Sequence, residues 1–141
     1  MVTKTEFQIF LDAIFDCFIA HDFAPWRDRI MLPFSLIPRV GPVILETSEE
    51  LCANFDLYLQ ACKIMDFDQI VRAQIDLLEC PDGTWIGTYE INLLGRGQRA
   101  TTPYTASALL IPTEAGLRMG SVLNARGHHD ETNQHPGFKP T

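Results

Sequence analysis

The sequence predicts a single α+β domain in which helices come first and an antiparallel strand meander comes last. Three observations carry this. Phe7, Leu11, Ile14 and Phe18 recur at helical spacing near the start of the chain. After about residue 69 the apolar period changes from helical to two. The breaks "CPDGT", "GRGQRATTP" and "TEAG" divide that later part into segments of strand length, and their turn residues favour hairpins between consecutive strands.

The first helix starts at Thr3, which stands three residues before Glu6 in a capping-box spacing, and ends near His21. Phe10 and Phe15 widen its apolar stripe, while Asp12 and Asp16 lie away from it. Asp22 can cap a short second helix through "FAPWRDRI", where Pro25 falls in the first turn and costs no hydrogen bond. "IMLPFSLIP" is too short and too rich in proline for a helix and reads as an extended edge segment, followed after "RVGP" by the extended "VILE". Thr47 and Glu50 repeat the capping spacing ahead of Leu51, Phe55, Tyr58 and Cys62 on one face, giving a third helix to about Ile64. Strands follow over 69–79, 84–94, 104–112 and 117–124. One domain over 1–124 is therefore expected, with the polar, aperiodic 125–141 read as a disordered tail.

At 141 residues, with 46% hydrophobic and 21% charged side chains, the chain can bury a core without disulfides or metals. A net charge of −7, with the Lys and Arg residues dispersed, would repel a phosphate backbone, so nucleic acid is not an expected partner. No stretch reaches the roughly 18 apolar residues of a membrane span, and "MVTKTEFQIF" lacks a basic region followed by an apolar run. The expectation is a cytoplasmic protein without membrane association. Cys17, Cys52, Cys62 and Cys80 form no metal-like pattern and read as reduced, small hydrophobes. His128, His129, Asp130, Glu131 and His135 cluster in the tail, where no packed scaffold would fix a coordination geometry. Neither metal nor cofactor is expected.

The order of elements, with "AHDFAPW" closing the first helix and "PTEAGLRMGSVL" as the last hairpin, resembles the nuclear-transport-factor-2-like superfamily, which includes ketosteroid isomerases, scytalone dehydratase and SnoaL-like polyketide cyclases. The resemblance covers about residues 3 to 124. It implies a strongly curved antiparallel sheet wrapping the long first helix into a cone whose mouth admits small apolar ligands. It also implies a homodimer formed through the outer face of the sheet.

Strict alternation then assigns the faces. Val71, Ala73, Ile75 and Leu77 are expected inside, with Trp85, Tyr89, Ile91 and Leu93, with Tyr104, Ala106, Ala108 and Leu110, and with Met119, Ser121 and Leu123. Arg72, Gln74, Asp76, Thr88, Glu90, Asn92, Thr105, Ser107 and Arg118 are expected outside. The ligand pocket expected from this scheme comprises Ile14, Phe18, Trp26, Phe34, Tyr58, Trp85, Tyr89, Tyr104, Ala108, Met119 and Ser121.

The three ketosteroid-isomerase catalytic positions, carried over by the resemblance, fall near Ile14, Pro38 and Ala108, all unable to transfer a proton. His21 beside Asp22 is the one pair with acid–base character, although Asp22 is already explained as a cap. Arg39, Arg96 and Arg99 could meet an anionic group near the mouth. "GRGQRA" mimics a dinucleotide fingerprint, but a strand follows it rather than the helix that would receive a pyrophosphate. The functional expectation is a binding protein for a small hydrophobic molecule. The alternatives are a SnoaL-like isomerase, cyclase or dehydratase, and a dimeric interaction module.

Overall fold

In the computed structural model, residues 1–38 and 41–125 are described. The elements run α1 (Lys4–Ala20), α2 (Phe23–Asp28), β1 (Ile30–Pro38), β2 (Val43–Leu45), α3 (Ser48–Met65), β3 (Gln69–Glu79), β4 (Trp85–Gly95), β5 (Gln98–Arg99), β6 (Tyr104–Thr113) and β7 (Gly116–Ala125). Arg39 and the histidine-containing tail lie outside the described residues.

The helices begin where side-chain oxygens can satisfy their free amides. Thr3 Oγ1 accepts from the Glu6 amide and Thr47 Oγ1 from the Glu50 amide, each at 3.1 Å, and Asp22 accepts from the Ala24 amide at 3.4 Å. Both long helices stop at a left-handed residue, His21 and Asp66, each with φ 55°, whose amides return to the Cys17 and Cys62 carbonyls.

The strands form one mixed, open sheet in the order β2-β1-β7-β6-β4-β3, with β5 hairpinned onto β4. Helices and sheet enclose a cone. An all-antiparallel sheet was expected, and the structure corrects this: β1 runs parallel to β7. Nor is β1 an edge, because it pairs with β2 on one side and β7 on the other. Its pairing with β7 shifts register between Ile30 and Ser35, a span containing Pro33, which has no amide hydrogen to donate. Part of "GRGQRATTP" also forms structure, since Arg96 (φ 53°) and Gly97 (φ 77°) make a two-residue turn that brings Gln98 and Arg99 back onto β4.

Along β4 the alternation is regular, with Trp85, Gly87, Tyr89, Ile91 and Leu93 buried. Gly87 faces inward because no side chain fits there: a Cβ would lie 2.7 Å from Phe7 Cε1 of α1. On β6, Ala106, Ala108 and Leu110 are buried as expected.

Two expectations about the faces are corrected. On β3, Arg72 and Gln74 turn toward α1, and Val71 and Ile75 turn out to solvent. Arg72 Nε donates to Asp12 Oδ1 at 3.1 Å, and its guanidinium also pairs with Asp16. Gln74 Nε2 donates to the Lys4 carbonyl at 2.7 Å and to Gln8 Oε1 at 3.2 Å. The inner side of this edge strand thus meets the polar flank of α1. A register shift between Gln74 and Asp76 then restores Leu77 to the core. The second correction concerns β7, where a shift around Gly120 keeps Met119 inside, brings Val122 inside, and leaves Ser121 and Leu123 on the outer face.

Candidate functional site

A cavity of about 90 Å³ lies among α1, α2, α3 and the inner face of the sheet. From the helices it is lined by Ile14, Phe15 and Phe18, by Trp26, and by Tyr58, Ala61, Cys62 and Met65. The α3 set stands at i, i+3, i+4 and i+7, one stripe of a helix. Phe67, Ile70, Tyr89, Ile91, Leu93, Tyr104 and Ala106 line it next, with Met119, Val122 and Leu36 from the β7–β1 side. Among the described residues, no charged side chain and no histidine contributes to this lining.

Stacked rings hold one wall. Phe18 packs on Phe55 at a centroid distance of 4.9 Å, on Trp26 at 5.0 Å and on Tyr58 at 5.5 Å. Tyr89 is met edge-on by Phe15 at 5.9 Å and by Phe7 at 6.2 Å. Such a wall keeps its shape, because each ring fixes its neighbours.

Burial pushes the Tyr58 phenol far above its ordinary pKa, and the nearby Cys62 adds to the shift. Burial raises Tyr89 in the same way, with Tyr58 as the second cause. Both phenols therefore keep their protons at neutral pH and can donate hydrogen bonds. Neither is suited to act as a base.

Seven of the expected pocket residues come together here: Ile14, Phe18, Trp26, Tyr58, Tyr89, Tyr104 and Met119. Four do not. Phe34 is fully buried behind the wall, its ring 6.5 Å from that of Trp26. Trp85 lines a separate groove with Val2 and Leu117, and Ala108 is packed in the core. Ser121 is on the outer face, for the reason given above. His21 is exposed at the end of α1 and does not line the cavity, because its left-handed backbone ends the helix there. Arg96 pairs at 3.5 Å with Asp66 in solvent, and Arg99 is exposed on β5.

Among the residues absent from the expected pocket, Ala61, Cys62 and Met65 were findable from the α3 period, since they extend the stripe that includes Tyr58. Phe67 and Ile70 had no comparable signal. They enter the cavity through the turn after α3, whose geometry rests on the left-handed Asp66. Among the described residues, no group of three or more His, Cys, Asp or Glu side chains could hold a metal, and no helix is long and apolar enough to cross a membrane.

No family model and no curated protein matches the sequence. Solved structures do match the fold. A protein of unknown function described as NTF-2 like, from Shewanella oneidensis, superposes with a TM-score of 0.65 at 7% identity over 84% of this chain and 95% of its own. Aln2 from a Streptomyces species gives 0.64 at 16% identity over 84% and 86%. A Streptomyces avermitilis protein, described provisionally as a dehydratase of the NTF2-like family, gives 0.58 at 13% identity over 84% and 92%. At these identities the likeness is one of fold: the chain has an NTF2-like fold.

Proposed function

We propose that this NTF2-like domain binds a small, uncharged, mainly apolar molecule in the cavity between its helices and its sheet. The observation that carries the reading is the lining: aromatic and aliphatic side chains from every layer, a few phenols, and no formal charge. Ligand sites are commonly concave, mostly apolar and provided with a few polar groups that orient the ligand. At about 90 Å³ the cavity is smaller than the roughly 150 Å³ that accepts benzene and far below the roughly 300 Å³ of a drug-sized site, so its occupant is no larger than a small ring. An isomerase, cyclase or dehydratase would need a proton-transferring group at the reacting atom. Here that would have to come from phenols that hold their protons or from the Cys62 thiol, with no carboxylate or histidine among the described lining residues, so binding is favoured over catalysis. Four free cysteines accord with a reducing, cytoplasmic setting.

The test combines native mass spectrometry of gently purified protein with benzene titration followed by methyl NMR. Retained mass or saturable shifts at Ile14 and Met119, both abolished by filling the cavity with Ala106→Phe, support the reading. A protein that retains nothing and shows no saturable shifts sinks it.

We also propose that the outer face of the sheet pairs with a second copy of the chain. Ile75 and Leu78 of β3, Ile86 of β4 and Leu123 of β7 are 58%, 56%, 41% and 44% exposed on that face. They make it more apolar than a plain solvated sheet. A dimer in the same spectra that dissociates on Ile86→Lys supports this, and a monomer at micromolar concentration overturns it.

A further inference from the structure

A groove of about 500 Å³ lies at the C-terminal ends of α1 and α3. Its apolar lining is Phe18, Ile19, Leu59, Cys62 and Phe67. Phe18, Cys62 and Phe67 also line the cavity, so at these three side chains the two spaces have a wall in common. That wall is not equally firm throughout. Phe18 is held by rings at 4.9 and 5.0 Å, whereas Cys62 is small and Phe67 is only half-buried. The backbone around Phe67 is pinned, with the Asp66 amide donating to the Cys62 carbonyl at 2.9 Å and the Asp68 amide to the Leu94 carbonyl at 3.0 Å. A half-buried ring can still turn between rotamers on such a backbone, and that turn is enough to widen a passage beside Cys62.

The rim of the groove differs from its floor. Gln60, Lys63, Asp66 and Asp68 stand around it, all exposed. Lysine supplies donors, the carboxylates supply acceptors and Gln60 supplies both. Both signs of charge are present, and Arg96 already meets Asp66 at 3.5 Å, so the rim has no bias toward an anion or a cation. A hydroxyl, which donates and accepts, suits it. Volume points the same way: the cavity alone is well below the roughly 300–1,000 Å³ of ordinary ligand sites, and the groove brings the pair within that range.

We propose that cavity and groove form one site for an amphiphile, a small apolar ring joined to a short, uncharged, hydroxyl-bearing arm. The ring occupies the cavity, and the arm passes Cys62 and Phe67 into the groove. The proposal rests on the binding function above and adds the ligand's shape and its polar end.

The test titrates benzene and 3-phenylpropan-1-ol into the full chain and follows methyl signals by NMR. Ile14 and Met119 report the cavity, while Ile19 and Leu59 line the groove and not the cavity and so report the arm. Both probes should shift the first pair, and the alcohol alone should shift the second. The alcohol should bind roughly ten-fold more tightly or better, since each methylene taken out of water is worth about four-fold. Ile19→Trp fills the groove from a residue that is 42% exposed, and should remove that gain while leaving benzene affinity unchanged. Equal affinity for the two probes overturns the single site and leaves the binding function standing. So does a gain that leaves Ile19 and Leu59 unmoved and survives Ile19→Trp. If neither probe binds, both readings fall.

Discussion

Arg72 on β3 reaches across to Asp12 on α1, with Nε 3.1 Å from Oδ1, and the arginine side chain is 10% exposed. This pair, extended by Asp16, Gln8 and Gln74, ties the first helix to an edge strand by polar contacts while the other flank of the helix faces the apolar core.

Replacing the arginine should cost more than replacing either acid. Arg72→Met keeps much of the stem but removes hydrogen bonds to two carboxylates and two carbonyls. We expect a loss of about 1–2 kcal/mol, moderated because Asp12 and Asp16 can rehydrate. Asp16→Asn should cost less than about 1 kcal/mol, the worth of an exposed pair. Urea denaturation of both variants checks the order.

Gly87→Ala should destabilise by about 1–3 kcal/mol, the usual range for overpacking a filled core. The obstacle is specific, since the new methyl would press on the ring of Phe7. Phe7→Leu in the same chain should recover part of the loss, and a double-mutant cycle measures the coupling.

Thr47→Ala should lower stability by about 1 kcal/mol by leaving the Glu50 amide without its cap. The same change at Thr3 should cost a similar amount, since its oxygen caps the Glu6 amide at the same 3.1 Å. Thermal unfolding of the pair checks this.

Alkaline pH should unfold the protein through its phenols. Tyr58 and Tyr89 are raised in the folded state, so the folded chain holds protons that the unfolded chain releases above about pH 10. Stability from this source is therefore intact below about pH 10 and declines as pH rises beyond it. Tyrosinate absorbance from Tyr58 and Tyr89 should appear together with loss of fold, which a combined absorbance and circular dichroism titration checks.

Much of this architecture was legible in the chain because its signals are local. The Thr3 and Thr47 caps, the Asp22 cap and the period of each helix act over a few residues, and so do the turns that set β4 and β6. The parallel pairing of β1 with β7 is not local: it joins segments about 80 residues apart with no turn between them to announce it. The face of β3 was misread for another reason. Alternation places apolar residues inside only where the partner surface is apolar, and the partner of β3 is the Asp12–Asp16 flank of α1. Ser121 was misplaced by one extra residue at Gly120, which alternation cannot count. Of the residues expected at the pocket, those on the helices, Tyr89, Tyr104 and Met119 line the cavity, while Phe34, Trp85, Ala108 and Ser121 lie elsewhere.

The shift at Ile75 makes β3 a strand with two grammars. Before it, the inward positions speak to a helix in charges and amides. After it, Leu77 speaks to the core in hydrocarbon. Ile75 itself is exposed and can change identity at little cost, and its place outside the ladder is what lets Asp76 and Leu77 stand opposite Thr88 and Gly87. At this position the chain should therefore tolerate almost any substitution and even deletion, because losing the extra residue leaves Asp76 opposite Thr88 and Leu77 opposite Gly87 in unbroken alternation.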